Sequence, residues 1–289
     1  MPTYISTSVN RSYKSSRQIK SAIVYIMMVV FGLLAVVPVW IMLINATRST
    51  QQINEGLAIL PSVHALDNWR ILTNRNFQIW QGFYNSAIIS VCATALCVYF
   101  SALTAYGIHV YRFHGRKVLQ SLIMILIMLP ASLSFIGFYQ FMARLKLTDS
   151  YIPLILPSIA SASTVLFMKQ YLDSILSFEL IEAARIDGAG EFRIFNTIIL
   201  PIIKPALATQ AIFSFVASWN NLMTPFVLLT STNKYTLPML VQMLRGDIYR
   251  TEYGGIYLGI AVSLVPIIVF YAFMSKSIIG GLTMGSVKE

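Results

Sequence analysis

Residues 182–205 read EAARIDGAGEFRIFNTIILPIIKP, a charge-bearing, proline-marked passage in the apolar C-terminal half of a 289-residue chain. Ser177 is placed to cap a helix beginning near Phe178, with Glu179 and Glu182 in its first turns, where the helix dipole favours acids. Glu182 and Ile186 share a face at i,i+4 spacing, Ala183 and Ala184 keep part of the surface thin, and Gly188 and Gly190 end the helix. Pro201 and Pro205 then lead into the next apolar run. The passage predicts a short, compact helix outside a membrane that holds most of the remaining chain.

Composition supports that setting. Hydrophobic residues make up 56% of the chain and charged residues only 11%, whereas about a quarter of a soluble domain is charged. Uncharged windows recur at 21–47, 76–108, 118–143, 150–168, 205–233 and 253–275. Each is of the order of the roughly 18 to 20 residues that cross a bilayer as a helix. Open strands leave backbone groups unsatisfied in lipid, and no short alternating segments of a barrel are present. The expectation is an all-α polytopic membrane protein with six spans, at about 21–45, 84–108, 119–142, 151–172, 205–229 and 254–276. A tail at 1–20 precedes this membrane domain of 21–279, a loop at 177–201 interrupts it and a tail at 280–289 follows it.

Lys and Arg set the orientation. With the N-terminus inside, thirteen of the 21 cations fall on the inner side, including Arg11, Lys14, Arg17, Lys20, Arg112, Arg116 and Lys117, against eight outside. Both termini and the 177–201 loop are therefore expected in the cytoplasm. The window from Ser21 to Thr47 is too long for a signal peptide and has no clear cleavage site, so it reads as a retained first span. Topology accounts for the net charge of +10, and no basic patch interleaved with aromatics suggests nucleic acid.

Two outer segments are long: 46–75, with Pro61 and Asp67-Asn68 as turn signals, and 231–252, with a short helix expected from Pro238 to Leu244. Pro38, Pro130, Pro153, Pro157 and Pro266 fall within spans and are candidate kinks. No ionisable residue lies at mid-span, which counts against ordinary proton or ion coupling and suits a neutral, hydroxyl-rich solute. Cys92 and Cys97 share one apolar run and read as small hydrophobes. His64, His109 and His114 have no clustered carboxylates or thiols at metal spacing. A phosphate loop is absent, so the chain has no nucleotide site of that type, and no base accompanies the scattered serines. The chain is expected to be neither an enzyme nor a metal or cofactor binder.

Glu182, Ala183, Ala184 and Gly188, followed after nine residues by Ile198, Leu200 and Pro201, reproduce E-A-A-x-x-x-G-x9-I-x-L-P. In this the chain resembles the permease subunits of ABC importers. Asp187, Gly188 and Ala189 match the D-G-A variant of the carbohydrate-uptake branch, so the chain is similar to the second, six-span permease of maltose-type importers. Asn85-Ser86, Trp219-Asn220 and the tail Gly281-Leu282-Thr283 with Gly285, Val287 and Lys288 extend the resemblance, with departures at Met284, Ser286 and Glu289.

The resemblance implies the type I importer fold in a bacterial or archaeal inner membrane, moving a sugar or oligosaccharide by alternating access. It implies a second permease subunit, two copies of a separate ATPase that binds the ATP, and an extracytoplasmic solute-binding protein. Glu182, Ala183, Ala184, Asp187 and Gly188 would couple to the ATPase: a charged contact at Glu182, close seating at the alanines and a turn at Gly188. Gly281, Leu282, Thr283 and Lys288 would reach the ATPase dimer, and residues 231–252 would meet the binding protein. Gln210, Trp219 and Asn220 are candidates for the translocation path, since amides and aromatic faces suit sugar hydroxyls. Trp219 reads equally as an interfacial anchor and Asn220 as a helix-bonding amide. The rival class is a secondary transporter of a neutral polar solute, which has no use for an exposed E-A-A loop.

Overall fold

The computed structural model describes residues 6–73, 78–245 and 251–285, with side chains for 20–73, 78–130, 135–245 and 251–277. Among the described residues all regular structure is helical. In chain order the helices are α1 (Ser6–Asn45), α2 (Thr50–Asn54), α3 (Ala65–Leu72), α4 (Ile79–Val110), α5 (Arg116–Met128), α6 (Ala131–Arg144) and α7 (Ile152–Ile155). A 3-10 turn (Leu156–Ala160) joins α7 to α8 (Ala162–Ile175), and α9 (Phe178–Ile186) follows. Then come α10 (Glu191–Arg193), a π-helical stretch (Ile194–Ile199), α11 (Leu200–Ile202), α12 (Lys204–Trp219), α13 (Met223–Leu228), α14 (Leu237–Met243) and α15 (Tyr253–Gly285).

Lys20–Asn45, Ile79–Val110, Ile152–Ile175 and Tyr253–Ser277 are each long and apolar enough to cross a membrane. Glu191–Ile202 and Lys204–Trp219 pass the same test only as a pair, bent by 81° at Ile203. The expected third span is cut in two. Leu129 and Pro130 take extended backbone, leaving helices of 13 and 14 residues on either side, because Pro130 cannot donate to the preceding turn. The expected fifth span stops at Trp219, ten residues early. Asn221 then accepts the N–H of Thr224 at 3.2 Å, helping to start α13.

Of the prolines expected as kinks, Pro153 and Pro157 instead stand in the first turns of α7 and of the 3-10 turn. Pro153, Pro205 and Pro238 occupy first-turn positions of α7, α12 and α14, where the missing N–H has no helical partner to lose, while Pro201 in α11 directly follows the π-helical stretch. Pro38 and Pro266 lie inside α1 and α15.

The chain divides into two units. The first comprises residues 1–72 and 248–261. Here Asp67 and Asn68 do not form the expected turn: both lie inside α3. Asn68 is buried and donates its amide to the carbonyls of Ala46 (2.8 Å) and Arg48 (3.0 Å), groups that the end of α1 leaves unpaired. Arg48, also buried, donates to Asn45 and to the carbonyls of Gln52 and Gly56. Ser49 and Gln52 form a capping box at α2.

The second unit comprises residues 73–247 and 262–289, and α4 is its axis. This 32-residue helix packs against α8, α12, α14, α7 and the 3-10 turn. Its buried residues include Ser86, Ser90, Ala93, Thr94, Ser101, Ala102 and Ala105, small enough for neighbouring helices to approach closely. Near its C-terminal end, Ala105, Tyr106 and Ile108 join Met168 and Leu172 of α8 in one apolar cluster. Ile181, Ala184, Ile194, Phe195 and Ile199 enter the same cluster, so the 178–202 passage is seated on the bundle.

Candidate functional site

The helix expected in the E-A-A passage is α9, with Ser177 in the N-cap position but no side-chain capping bond. Its C-terminus closes as a Schellman turn: Gly188 N–H donates to the Arg185 carbonyl and Ala189 N–H to the Ala184 carbonyl, both at 3.0 Å. Gly188 has φ +79, and an added Cβ there would meet nothing within 4 Å. Glycine is therefore required by backbone conformation and not by space.

Two faces of α9 are distinct. Ile181 and Ala184 turn inward to the cluster, so Ala184 packs on its own chain. Glu182, Ala183 and Asp187 are exposed, as are Ile186, one turn beyond Glu182, at 86% and Phe192 of α10 at 69% exposure. Among the described residues Glu182 has no ion-pair partner. An open acid one helical turn from a bare apolar side chain is a surface suited to a protein partner.

Both ends of this passage are tied to α4. At the start, Phe178 stacks on His109 with ring centroids 5.2 Å apart and planes 9° apart. His109 Nδ1 lies 2.7 Å from Asp173 Oδ1, and Lys169 pairs with the other oxygen. At the far end, Glu191 is a hub. Arg185 Nε donates to its Oε1 at 2.7 Å, while the hydroxyls of Tyr111 and Tyr106 donate to Oε2. Partial burial and then the Glu191 bond push the Tyr111 phenol up. Tyr106 also packs on Phe195 at 5.4 Å. None of these partners was read from sequence as functional; the signal was Glu191 itself, an acid three residues beyond Gly188 in the charged passage between Arg185 and Arg193.

The opposite end of α4 holds residues 231–243. Asn85, fully buried, donates to the carbonyls of Asn233 and Tyr235, both at 2.9 Å. Ser86 accepts the Leu237 N–H that opens α14, and α14 spans nearly the Pro238 to Leu244 helix expected there. Asp149 supplies a second tether: its carboxylate accepts the N–H groups of Thr230 and Ser231, the Ser231 hydroxyl and Lys234. These bonds, those from Ser231 foremost, hold its carboxyl well below the usual range.

The path candidates do not converge. Gln210 and Trp219 are both buried on α12, but nine residues is about two and a half turns, which puts them on opposite sides of the helix. Trp219 is 1% exposed, stacks on Phe215, meets Phe83 edge-on and donates its Nε1 to the Ser263 carbonyl at 3.0 Å. It is an internal packing residue of this chain and not an interfacial anchor. Asn220 is exposed at the C-cap of α12. In the tail, Gly281, Leu282 and Thr283 continue α15, while their side chains and Lys288 lie outside the described residues. Among the described residues no group of His, Cys, Asp and Glu is placed to hold a metal.

Residues 109–279 match the family described as binding-protein-dependent transport system inner membrane component. The arabinooligosaccharides transport system permease protein of Halalkalibacterium halodurans is 35% identical over 88% of this chain and 92% of its own length. Its Bacillus subtilis counterpart is 33% identical over 89% and 92%. The diacetylchitobiose uptake system permease protein of Streptomyces coelicolor is 28% identical over 96% and 92%. In fold, the chain is similar to one chain of a bacterial ABC transporter involved in import of the acidic polysaccharide alginate. The TM-score is 0.77 at 23% identity, over 96% of this chain and 99% of that one.

Proposed function

The chain belongs to the family of binding-protein-dependent transport system inner membrane components, and from that premise we propose that it is a permease subunit of an ABC importer for an oligosaccharide. It pairs with a second, different permease, and two copies of a separate ATPase dock from the cytoplasm, where both termini lie. An extracytoplasmic binding protein delivers the solute to the 231–252 side. ATP is bound and hydrolysed on the ATPase, and this chain converts the closure of that dimer into a change of access. The sugar class is supported by the absence of ionisable residues at mid-span and by the names of the relatives.

The observation that carries the reading is α9: a rigidly seated helix whose open face combines Glu182 and Ala183 with exposed Ile186. A secondary transporter has no use for such a face. The test is gentle affinity purification from the native membrane. The expected result is one different permease and two ATPase copies, with the ATPase lost on Glu182→Lys while the chain stays inserted. Recovery of the chain alone, or as a homo-oligomer, sinks the reading and favours the secondary transporter.

A further inference from the structure

Near Ile203 the helical path bends by 81°, so the E-A-A passage meets α12 through a break. Its connections to α4 are of another kind: Phe178 stacks on His109, and Arg185 and Tyr111 share Glu191. Between His109 and Asn85 runs one uninterrupted helix, about 36 Å long at 1.5 Å per residue. At its other end, Asn85 and Ser86 bond the backbone of 233–237. Gly82 is packed so closely that an added Cβ would lie 2.3 Å from Leu240 Cδ1.

We propose that α4 is the rod that carries movement of α9 to the 231–243 segment, with Glu191 the positioning residue that locks α9 to it. The inference rests on the permease reading and adds its route of transmission. A rigid helix with side-chain and backbone bonds at both ends passes displacement along its axis, whereas the bend at Ile203 concentrates rotation at one residue. Glu191 suits the task because its two oxygens join a cation on α9 to phenols at the end of α4, in charge-assisted bonds.

The test uses the assembled importer, purified with its ATPase and reconstituted, in a Cys92→Ser background carrying Thr232→Cys on the exposed outer segment. A membrane-impermeant maleimide reports the labelling rate with and without ATP. The parent is expected to change rate on ATP addition by about fivefold or more, the scale of ordinary coupling between sites. In importer that still recovers its ATPase, Glu191→Ala is expected to reduce that change below about twofold; Glu191→Gln, which keeps an acceptor oxygen, restores part of it. A full ATP response in Glu191→Ala overturns the proposal. If Glu191→Ala does not assemble, Tyr106→Phe with Tyr111→Phe, which removes two hydroxyls only, decides by the same ratio. Failure of the unsubstituted chain to bring down an ATPase is a different result, and defeats the permease reading itself.

Discussion

The backbone N–H of Leu237 donates to the Ser86 hydroxyl at 2.8 Å, and both residues are buried. The bond satisfies a donor at the start of α14 that no turn of its own helix can reach. Ser86→Ala leaves that donor orphaned in an apolar setting, at a cost of about 1 to 3 kcal/mol. Asn85→Ala removes the amide that holds two carbonyls and is expected to cost at least as much. Limited proteolysis from the 231–252 side should show faster cleavage in both variants, with cleavage at 111–115 unchanged. Equal rates in variant and parent would mean that α14 is held by packing alone.

Gly188 separates conformation from space. With φ +79 and nothing near a prospective Cβ, its substitutions should rank by tolerance of the left-handed region. Gly188→Asn is expected to retain most uptake, Gly188→Ala to lose about 1 to 2 kcal/mol of local stability, and Gly188→Val to abolish uptake with the spans still inserted. Uptake assays on the three variants at matched membrane abundance give the ranking. Asn as damaging as Val would show that a partner's surface, and not φ, fixes glycine there.

The features visible in the sequence were those written in local pattern. Hydropathy marked the long helices, and the spacing from Glu182 to Pro201 marked α9 and its glycine stop, since both depend on neighbours within a few turns. Pro130 was marked as a candidate kink, but the full break at Leu129-Pro130 was not read, because the window is apolar throughout and hydropathy does not register a missing N–H. Asp67-Asn68 was misread for the opposite reason: turn propensity is local, but the carbonyls that Asn68 satisfies lie at the end of another helix, 20 and 22 residues away. Glu191 and its phenols are 80 and 85 residues apart, beyond any periodicity. Asn85-Ser86 was seen as a motif, but its task became visible only once 233–237 lay against it.

Gly254 makes a steric prediction. A Cβ there would lie 2.4 Å from the Arg48 carbonyl oxygen and 2.4 Å from Asn68 Oδ1. The first is backbone, and the second belongs to a side chain already fixed by two hydrogen bonds, so neither can yield cheaply. Gly254→Ala is expected to destabilise the 1–72 and 248–261 unit by about 1 to 3 kcal/mol, the scale of overpacking. Gly32→Ala, with nothing within 4 Å, should be near neutral. Thermal aggregation of the detergent-solubilised protein compares the two, and equal midpoints would refute the argument.

Asp149 carries a pH dependence whose sign is fixed by its partners. Bonds from Ser231, then Lys234 and Thr230, favour the carboxylate, so the folded pKa lies below that of the unfolded chain. The resulting stability is complete above the ordinary carboxylate value of about 4 and drains away as pH falls from there through the lowered folded pKa. The 230–234 segment should therefore resist an acid-active protease at about pH 6 and open progressively towards about pH 3. Asp149→Asn keeps an acceptor oxygen for one N–H but loses the charge that draws Lys234, so it should be more open at the upper pH and show less further change on acidification. Parallel profiles in parent and variant would assign the acid sensitivity of this segment to other carboxylates.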